Sequence, residues 1–346
     1  MKFGIGYYTM QSPQHKPRPH RELYAEMLEE ISMADQMGYD SAWVSEHHFL
    51  SDGYCPSLLL TAAAIAAKTK NIRIGTGVLL LPLHDPIRVA EDAAVADLIS
   101  GGRLILGIGL GYRQEEFDGF GRSLKQRRGR MEEGIEILTK SWGDEPFSLD
   151  GKYYQLQDIN VTPKPVQKPI PIWVGAFTEP AIRRAARIGA PLFMPAIGVI
   201  PIVKYLFDLH SSLLTEYGRN PDDYEKPLVR EMYISDMKAD DAWEKIKEHV
   251  TYTAKGYASW GSMVDQQGNL LSDPDDPILY DIAREQSIIG TPEECIETIK
   301  QYQQELPIDN LICRFKFPGI SHEEAMRSMK LFVEKVQPHV SSRKIS

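Results

Sequence analysis

The alternation of short apolar runs with amphipathic segments constrains this chain more than any other feature of its sequence. Eight runs have the length and apolar content of buried strands, and a segment with helical spacing follows each of them. The runs cover residues 2–8, 41–45, 72–81, 103–109, 170–176, 191–194, 228–235 and 310–315. Strands that alternate with helices form a parallel sheet, either closed into a barrel or left open as a doubly wound sheet. Eight repeats favour an α/β fold of the (β/α)8 TIM barrel type, whose usual size of roughly 250 residues leaves about 100 for insertions.

Two longer segments interrupt the repeat. Residues 143–169, after the fourth strand, combine the hairpin-forming stretch GKYYQLQD with a proline-rich connector. Residues 256–286, after the seventh strand and its helix, are rich in Gly and Asp and too long for a plain connection. We therefore expect a single domain over residues 1–346, with residues 256–286 as a mobile lid over the strand ends.

The composition argues against several classes of protein. The chain has 48 acidic and 39 basic side chains and no block of like charge, so nucleic acid is not an expected partner. No apolar segment reaches membrane-spanning length and no secretion signal opens the chain, which predicts a cytoplasmic protein without membrane contact. Cys55, Cys295 and Cys313 are odd in number and widely separated, as expected for reduced packing residues.

The motif EHHF ends the second strand, where active sites of such barrels lie. Successive strand residues point to opposite faces, so one of His47 and His48 is expected in the pocket and a metal site built from both is not. Both could instead be supporting residues that form hydrogen bonds under a loop. The motif therefore predicts where the site lies, but it does not decide between a direct and a supporting role for the two histidines.

Glycines cluster in the third and fourth strands. Gly75 and Gly77 lie inside an apolar run, where glycine indicates either a bulge or the close approach of a flat ring to the backbone. Gly107, Gly109 and Gly111 also suggest a ligand against bare backbone, but their spacing is not that of a dinucleotide-binding fingerprint.

The fifth strand leads through Gly175 into a helix with good start signals. Thr178 is a suitable N-cap and Pro180 fits the first turn, so the free N–H groups there could receive a phosphate. Arg128 in KQRRGR could add a charged partner. Ordinary helix capping and a solvated basic face are the alternatives.

Together these stretches resemble the flavin-dependent luciferase-like monooxygenase family along nearly the whole chain. WVSEHHF is similar to the WxxEHHF of the bacterial luciferase alpha chain, and GTGVLLLP followed by DPIRVAED resembles its third-strand region. SGGRLILGIGLGYRQEEFDGFG, IIGTPEECIETI and SMKLFVEKVQPHV are similar to later segments of the family.

The resemblance implies a barrel that binds reduced FMN without covalent attachment and reacts with molecular oxygen. It implies that His47 is catalytic, as a general base or hydrogen-bond partner. It also implies a cis peptide between Gly77 and Val78 beneath the flavin ring, and phosphate binding by Arg128 and the loop 175–178. The cofactor contacts expected from motifs and resemblance are Glu46, Gly77, Val78, Gly109, Leu110, Tyr112, Arg128, Gly175, Ala176, Phe177 and Thr178.

One departure from the family is Leu110, which stands where the luciferase has a flavin-contacting arginine. Phosphate binding would then rest on Arg128 and Thr178, or on Arg113. The departure predicts a non-luminous member.

The leading hypothesis is the oxygenase of a two-component system. A separate NAD(P)H:flavin reductase would supply reduced FMN, and this chain would oxidise a small organic substrate, expected to be apolar and selected by lip residues such as Tyr8, Tyr112 and Trp260. The alternatives are a deazaflavin-dependent oxidoreductase that transfers hydride without oxygen and a non-catalytic flavin-binding protein. A metal-dependent barrel hydrolase fits less well, since no His-x-His pair ends the first strand. The resemblance also implies a homodimer formed through helices such as LLLTAAAIAA.

Overall fold

Parallel strands alternate with helices along the chain, and the computed structural model describes residues 1–194, 198–264 and 269–341. In chain order the elements are β1 (Lys2–Tyr8), α1 (His20–Met37), β2 (Ser41–Val44), α2 (Leu58–Lys68), β3 (Arg73–Thr76), α3 (Pro86–Ser100), β4 (Leu104–Ile108), α4 (Gln114–Gly119), α5 (Arg127–Ser141), β5 (Phe147–Asp150), β6 (Gln155–Ile159), β7 (Ile172–Gly175), α6 (Glu179–Ile188), β8 (Leu192–Phe193), α7 (Ile200–Glu216), β9 (Pro227–Ile234), α8 (Ala239–Ser259), β10 (Met263–Val264), β11 (Leu270–Leu271), α9 (Ile278–Glu285), β12 (Ser287–Gly290), α10 (Pro292–Glu305), β13 (Asn310–Arg314), α11 (His322–Leu331) and α12 (Gln337–Val340).

The main sheet is parallel and curled. Its strand order is β12-β9-β13-β1-β2-β3-β4-β7-β8, and its paired neighbours run parallel. An isolated parallel bridge joins Met194, just after β8, to Leu228 in β9. The predicted α/β class with a parallel sheet is therefore confirmed, while the count of eight repeats and the two insertions stay predictions. Because the strands are parallel, their carboxyl ends meet at one edge of the sheet.

Aromatic rings fill the space enclosed by the sheet. Trp43 lies 4.9 Å from Trp173 and 4.8 Å from Phe193, measured between ring centroids. A Cβ atom on Gly75 would stand 2.2 Å from Cε3 of Trp43, so the indole requires a glycine there. The pairing of β2 with β3 runs without a break, and neither a bulge nor a ligand explains Gly75.

The predicted lid, residues 256–286, is more regular than its composition suggests. It begins inside α8, continues through the antiparallel pair β10–β11 and includes α9. Residues 265–268 of this segment lie outside the described residues. Its mobility stays a prediction.

Two predictions from composition have structural counterparts. Cys55, Cys295 and Cys313 are free and buried, as packing residues are expected to be. Among the described residues, no helix combines the length and the apolar character that a membrane span requires.

Candidate functional site

A cavity of about 480 Å³ opens at the carboxyl ends of the strands. The structure brings all of the predicted site residues to its lining, and these are Glu46, His47, Gly77, Val78, Gly109, Leu110, Tyr112, Arg128, Gly175, Ala176, Phe177 and Thr178. These residues lie up to about 130 positions apart in the chain. They meet because the carboxyl ends of the parallel strands lie at one edge of the sheet. Their roles toward a flavin stay predictions.

His47 is buried and held by a carboxylate. Its Nδ1 lies 2.8 Å from Oε1 of Glu116, which also accepts the backbone N–H of His48 at 2.9 Å. Burial alone would raise the pKa of Glu116, but the contacts with His47, the His48 N–H and Arg113 lower it. Because a carboxylate only accepts, Nδ1 of His47 carries the hydrogen of this bond. In the neutral ring Nε2 is then an acceptor, and it lies 3.4 Å from the Tyr112 hydroxyl.

Aromatic rings surround this imidazole. Ring centroids of Tyr54 and Trp260 each lie 4.8 Å from that of His47, and Tyr257 lies at 5.9 Å. These rings limit the water that can reach Nε2. Trp260 also covers the guanidinium of Arg113 at 4.9 Å.

His48 points away from the cavity lining and joins a second carboxylate, Glu46. Oε1 of Glu46 lies 2.7 Å from Nε2 of His48 and 2.7 Å from Nε2 of His84, and Oε2 accepts the Leu80 N–H at 2.5 Å. Burial would raise the pKa of Glu46, but the two imidazoles lower it to about 2. The carboxylate is thus fully engaged by protein groups, so a contact between Glu46 and a cofactor would have to use its other atoms.

The same three side chains are the candidate metal ligands nearest the cavity. The ligand atoms of Glu46, His48 and His84 lie within 4.8 Å of one another. An ionised carboxylate that accepts two imidazole N–H groups accounts for this arrangement without an ion. The two adjacent histidines contact different carboxylates, His47 that of Glu116 and His48 that of Glu46.

One wall of the cavity is formed at the ends of β3, β4 and β7 by Gly77, Gly109 and Gly175, with the Val78 side chain among them. A Cβ on Gly109 would lie 2.5 Å from Cγ2 of Val78, and one on Gly175 would lie 3.1 Å from Cγ1 of Val78. The peptide bond between Gly77 and Val78 is cis, as the resemblance implied. Gly109 and Gly175 therefore make room for the Val78 side chain, and the wall presents this side chain together with the main chain of the three glycines.

One end of the cavity is suited to an anion. Helix α6 begins after Thr178 with a proline in its first turn, and the Thr178 side chain forms no capping bond. Arg127, Arg128 and Arg184 line this end. Arg184 is buried and its Nε lies 2.5 Å from Oε1 of Glu132, while its Nη1 has no hydrogen-bond partner among the described residues. Arg184 was not predicted from the sequence, although its place in the second turn of the helix that follows the predicted phosphate loop was a usable signal.

Arg113 was predicted as an alternative phosphate partner, but its guanidinium contacts protein groups next to His47. Its Nη1 donates to the His48 carbonyl at 2.9 Å and lies 3.2 Å from Oε1 of Glu116. It is absent from the cavity lining. Arg113 therefore supports the carboxylate that holds His47.

The wall opposite the glycines carries a buried ion pair that no sequence motif indicated. Nη1 of Arg314, at the end of β13, lies 3.0 Å from Oε1 of Glu231 in β9, and both residues line the cavity. Burial raises the pKa of Glu231, although Arg314 acts in the opposite sense. Alternation along a strand gives no sign that two such residues 83 positions apart will meet.

The lip residue expected on β1 is wrong by one position. The pairing of β1 with β2 shifts between Gly6 and Tyr8, and Tyr7 has a positive φ of 61°. An irregularity of this kind reverses the alternation of side chains. Tyr7 consequently lines the cavity, whereas Tyr8 is buried outside it.

The sequence of this chain is similar to those of known proteins. The family model described as luciferase-like monooxygenase matches residues 1–308. The chain is 27% identical to the alkanal monooxygenase alpha chain of the Kryptophanaron alfredi symbiont over 99% of both chains. It is also 27% identical to the oxygenase component of the flavin-dependent trigonelline monooxygenase of Acinetobacter baylyi, over 94% of this chain and 92% of that one.

Solved structures show the same fold. Monooxygenase RslO1 from Streptomyces bottropensis is 25% identical and superimposes with a TM-score of 0.85 over 98% of this chain and 99% of that one. The oxygenating constituent of 3,6-diketocamphane monooxygenase from Pseudomonas putida, in complex with FMN, has a TM-score of 0.81 at 21% identity over 98% of each chain. The coenzyme F420-dependent tetrahydromethanopterin reductase of Methanopyrus kandleri has a TM-score of 0.76 at 19% identity, over 98% of this chain and 99% of that one. Since the family model covers most of the chain, and the fold agrees with it, the chain belongs to the luciferase-like monooxygenase family.

Proposed function

We propose that this chain is the oxygenase of a two-component monooxygenase that uses reduced FMN and molecular oxygen to oxidise a small organic substrate. A separate NAD(P)H:flavin reductase would supply the reduced flavin. The observation that carries the proposal is a single cavity with three parts: a backbone wall, an arginine-lined helix start, and a buried histidine held through Nδ1.

The residues present fit FMN. The glycine wall suits the flat ring, and the start of α6 with Arg128 suits the phosphate. Nη1 of the buried Arg184, without a partner among the described residues, gives a further donor that a phosphate would satisfy. When bound in reduced form, FMN supplies two electrons for the reaction with oxygen.

The protein's own contribution lies in His47 and its surroundings. Glu116 fixes the ring so that Nε2 faces the cavity, where it can accept a proton from the substrate or return it. Tyr54, Tyr257 and Trp260 crowd this nitrogen and reduce its access to water. Exclusion of water protects a reactive oxygen species from side reactions.

Leu110 lines the cavity at the position that carries an arginine in the luciferases. It cannot donate to a phosphate, so Arg128, Thr178 and Arg184 would have to suffice. We propose that the protein is a non-luminous member of its family.

We further propose a closed (β/α)8 barrel with insertions after its fourth and seventh strands, forming one domain. The bridge from Met194 to Leu228 supports closure, because it connects the two sides of the curled sheet. The hairpin β5–β6 and the segment 256–286 would be the insertions, the second acting as a lid because Trp260 and Met263 reach the cavity. Hydrogen exchange with and without FMN tests the lid: its protection should rise on binding.

Exposed apolar side chains on α2 and α3 support the expected homodimer. Leu60, Val95, Leu98 and Ile99 are all exposed on these two adjacent helices. Exposed apolar side chains are frequent at interfaces between subunits. We propose that two copies meet at α2 and α3, and that the dimer is cytoplasmic, where the proposed reductase would draw on the NAD(P)H pool.

A deazaflavin-dependent oxidoreductase is the second candidate. The likeness to the F420-dependent reductase favours it, as does the exposed position of Arg128, which leaves room for a longer tail beyond the phosphate. A non-catalytic flavin-binding protein is a third reading, which the held imidazole of His47 disfavours.

Anaerobic titration with FMNH2 and, separately, with reduced deazaflavin tests the proposal, followed by a pulse of oxygen and rapid absorbance scans. We expect FMNH2 to bind and a transient band, distinct from those of reduced and oxidised FMN, to follow oxygen. If only the deazaflavin binds and oxygen has no effect, the second candidate replaces the first. Stoichiometric flavin binding without turnover, and no effect of His47→Ala, would favour the third.

A further inference from the structure

The ion pair on the wall opposite the glycines is incompletely satisfied. Glu231 and Arg314 are both more than nine-tenths buried. Among the described residues, Oε2 of Glu231 and Nε of Arg314 have no hydrogen-bond partner. A buried carboxylate oxygen without a donor is costly, and such atoms in native proteins commonly await a ligand or a water molecule.

We propose that Oε2 of Glu231 accepts a hydrogen bond from a hydroxyl or N–H group of the organic substrate. This inference rests on the proposed function and deepens it by naming a substrate class: an apolar body that carries one hydrogen-bond donor. The sequence predicted an apolar substrate, and this inference restricts that class to apolar molecules with a hydroxyl or N–H group.

Arg314 makes Glu231 a rigid acceptor. Besides the carboxylate, its guanidinium contacts the Thr253 hydroxyl at 3.2 Å and lies 5.8 Å from the Tyr7 ring centroid. These contacts fix the carboxylate in one orientation, with Oε1 directed at the arginine. A preorganised acceptor binds a donor at little cost in side-chain entropy.

The location of the pair favours the substrate as the donor. The glycine wall lies at the ends of β3, β4 and β7 and the anion end is formed by α5 and α6, whereas Glu231 and Arg314 belong to β9 and β13. Glu231 shares the cavity lining with His47 and with Tyr257, one of the rings around this imidazole. A small molecule anchored at Glu231 would therefore extend toward His47.

The test uses matched pairs of small molecules in which methylation removes only the donor. The pairs are phenol and anisole, indole and 1-methylindole, cyclohexanol and methoxycyclohexane, and benzyl alcohol and benzyl methyl ether. Ligand-observed NMR measures their affinities for the FMN-loaded and the flavin-free protein. The variant is Glu231→Gln, and the matched control is Glu30→Gln, a buried carboxylate outside the cavity whose Oε2 also lacks a partner among the described residues.

We expect the donor-bearing members to bind about tenfold or more tightly in the wild type and in Glu30→Gln, because their donor satisfies a buried oxygen that otherwise lacks a partner. Glu231→Gln should reduce this preference to roughly twofold or less. If that variant does not fold because Arg314 loses its countercharge, the double variant with Arg314→Met replaces it, and the wild-type comparison stands by itself.

Three results would overturn the inference: equal binding within each pair, a preference that survives in Glu231→Gln, or no binding of any pair member. The flavin itself has a ring N–H, so FMN and its 3-methyl derivative are titrated into the same variants. If Glu231→Gln weakens FMN but not the methylated flavin, the donor belongs to the cofactor and the substrate inference is wrong. If FMN fails to bind the wild type, the proposed function fails, while the pairs still test the acceptor in the flavin-free protein.

Discussion

Replacing Glu116 by glutamine should cost more stability than any neighbouring charge substitution. Three groups converge on its Oε1: Nδ1 of His47 at 2.8 Å, the His48 N–H at 2.9 Å and Arg113 at 3.2 Å. Hydrogen bonds to a charged group contribute about 1.5–3 kcal/mol each, and a neutral amide retains part of each bond. Arg113 is itself buried and would lose its main countercharge. We therefore expect the free energy of unfolding to fall by about 2–4 kcal/mol.

The adjacent Glu115 provides the control. Its side chain is 71% exposed and lies 4.0 Å from Arg113, so Glu115→Gln should change stability by less than about 0.5 kcal/mol. Urea unfolding of both variants at pH 7, followed by far-UV circular dichroism on the flavin-free protein, measures the difference. Equal losses for the two variants would refute the idea that a buried carboxylate anchors His47.

The pH dependence of this effect has a definite sign. The pKa of Glu116 is lowered in the folded protein, so its stabilisation is present above the pKa of the unfolded chain and is lost as pH falls through the folded value. The gap between wild type and Glu116→Gln should therefore shrink once the pH falls below about 4. A gap that does not change between pH 7 and pH 3 would contradict the electrostatic part of the argument.

Four further variants test other parts of the structure. Arg128→Gln should weaken FMN about tenfold at low salt and leave riboflavin unchanged, because only FMN carries the phosphate; fluorescence titration compares the two. Gly109→Ala should destabilise the protein by about 1–3 kcal/mol, since its Cβ would stand 2.5 Å from Cγ2 of Val78, and thermal unfolding measures this. Leu60→Asp combined with Ile99→Asp should convert a dimer into a monomer in light scattering, and a dimer that persists would exclude this interface. Glu46→Gln should remain less stable than wild type even at pH 3, because the Glu46 pKa of about 2 keeps its carboxylate ionised there; denaturation at pH 3 decides it.

Local patterns in the sequence predicted the frame of the molecule well. The strand expected at 103–109 spans Leu104–Ile108, because a buried parallel strand appears as a continuous apolar run. Thr178 stands at the N-cap position of α6 as predicted, although its side chain forms no capping bond. All twelve predicted catalytic and cofactor-contact residues line the cavity, because most of their motifs follow strands that end at the same edge, while Arg128 comes from the start of α5.

Contacts between distant positions were beyond the reach of such patterns. Glu116 meets His47 across 69 positions, and no periodicity relates a residue of α4 to the end of β2. β12 was missed because its four residues, SIIG, resemble part of a connection. Tyr8 was expected at the lip in place of Tyr7, because the register shift in β1 depends on its pairing with β2 and not on its own sequence. These features arise only when the strands are assembled.

The two walls of the cavity differ in the material from which they are built. Gly77, Gly109 and Gly175 present main-chain atoms, which a codon change cannot exchange without adding a Cβ into occupied space. Glu231 and Arg314 present side chains, which can be exchanged without moving the main chain but only as a pair, because either one alone would be a buried charge without its counterpart. A change of binding preference at the second wall therefore requires two coordinated substitutions. The surface that carries the glycines keeps its shape through such a change.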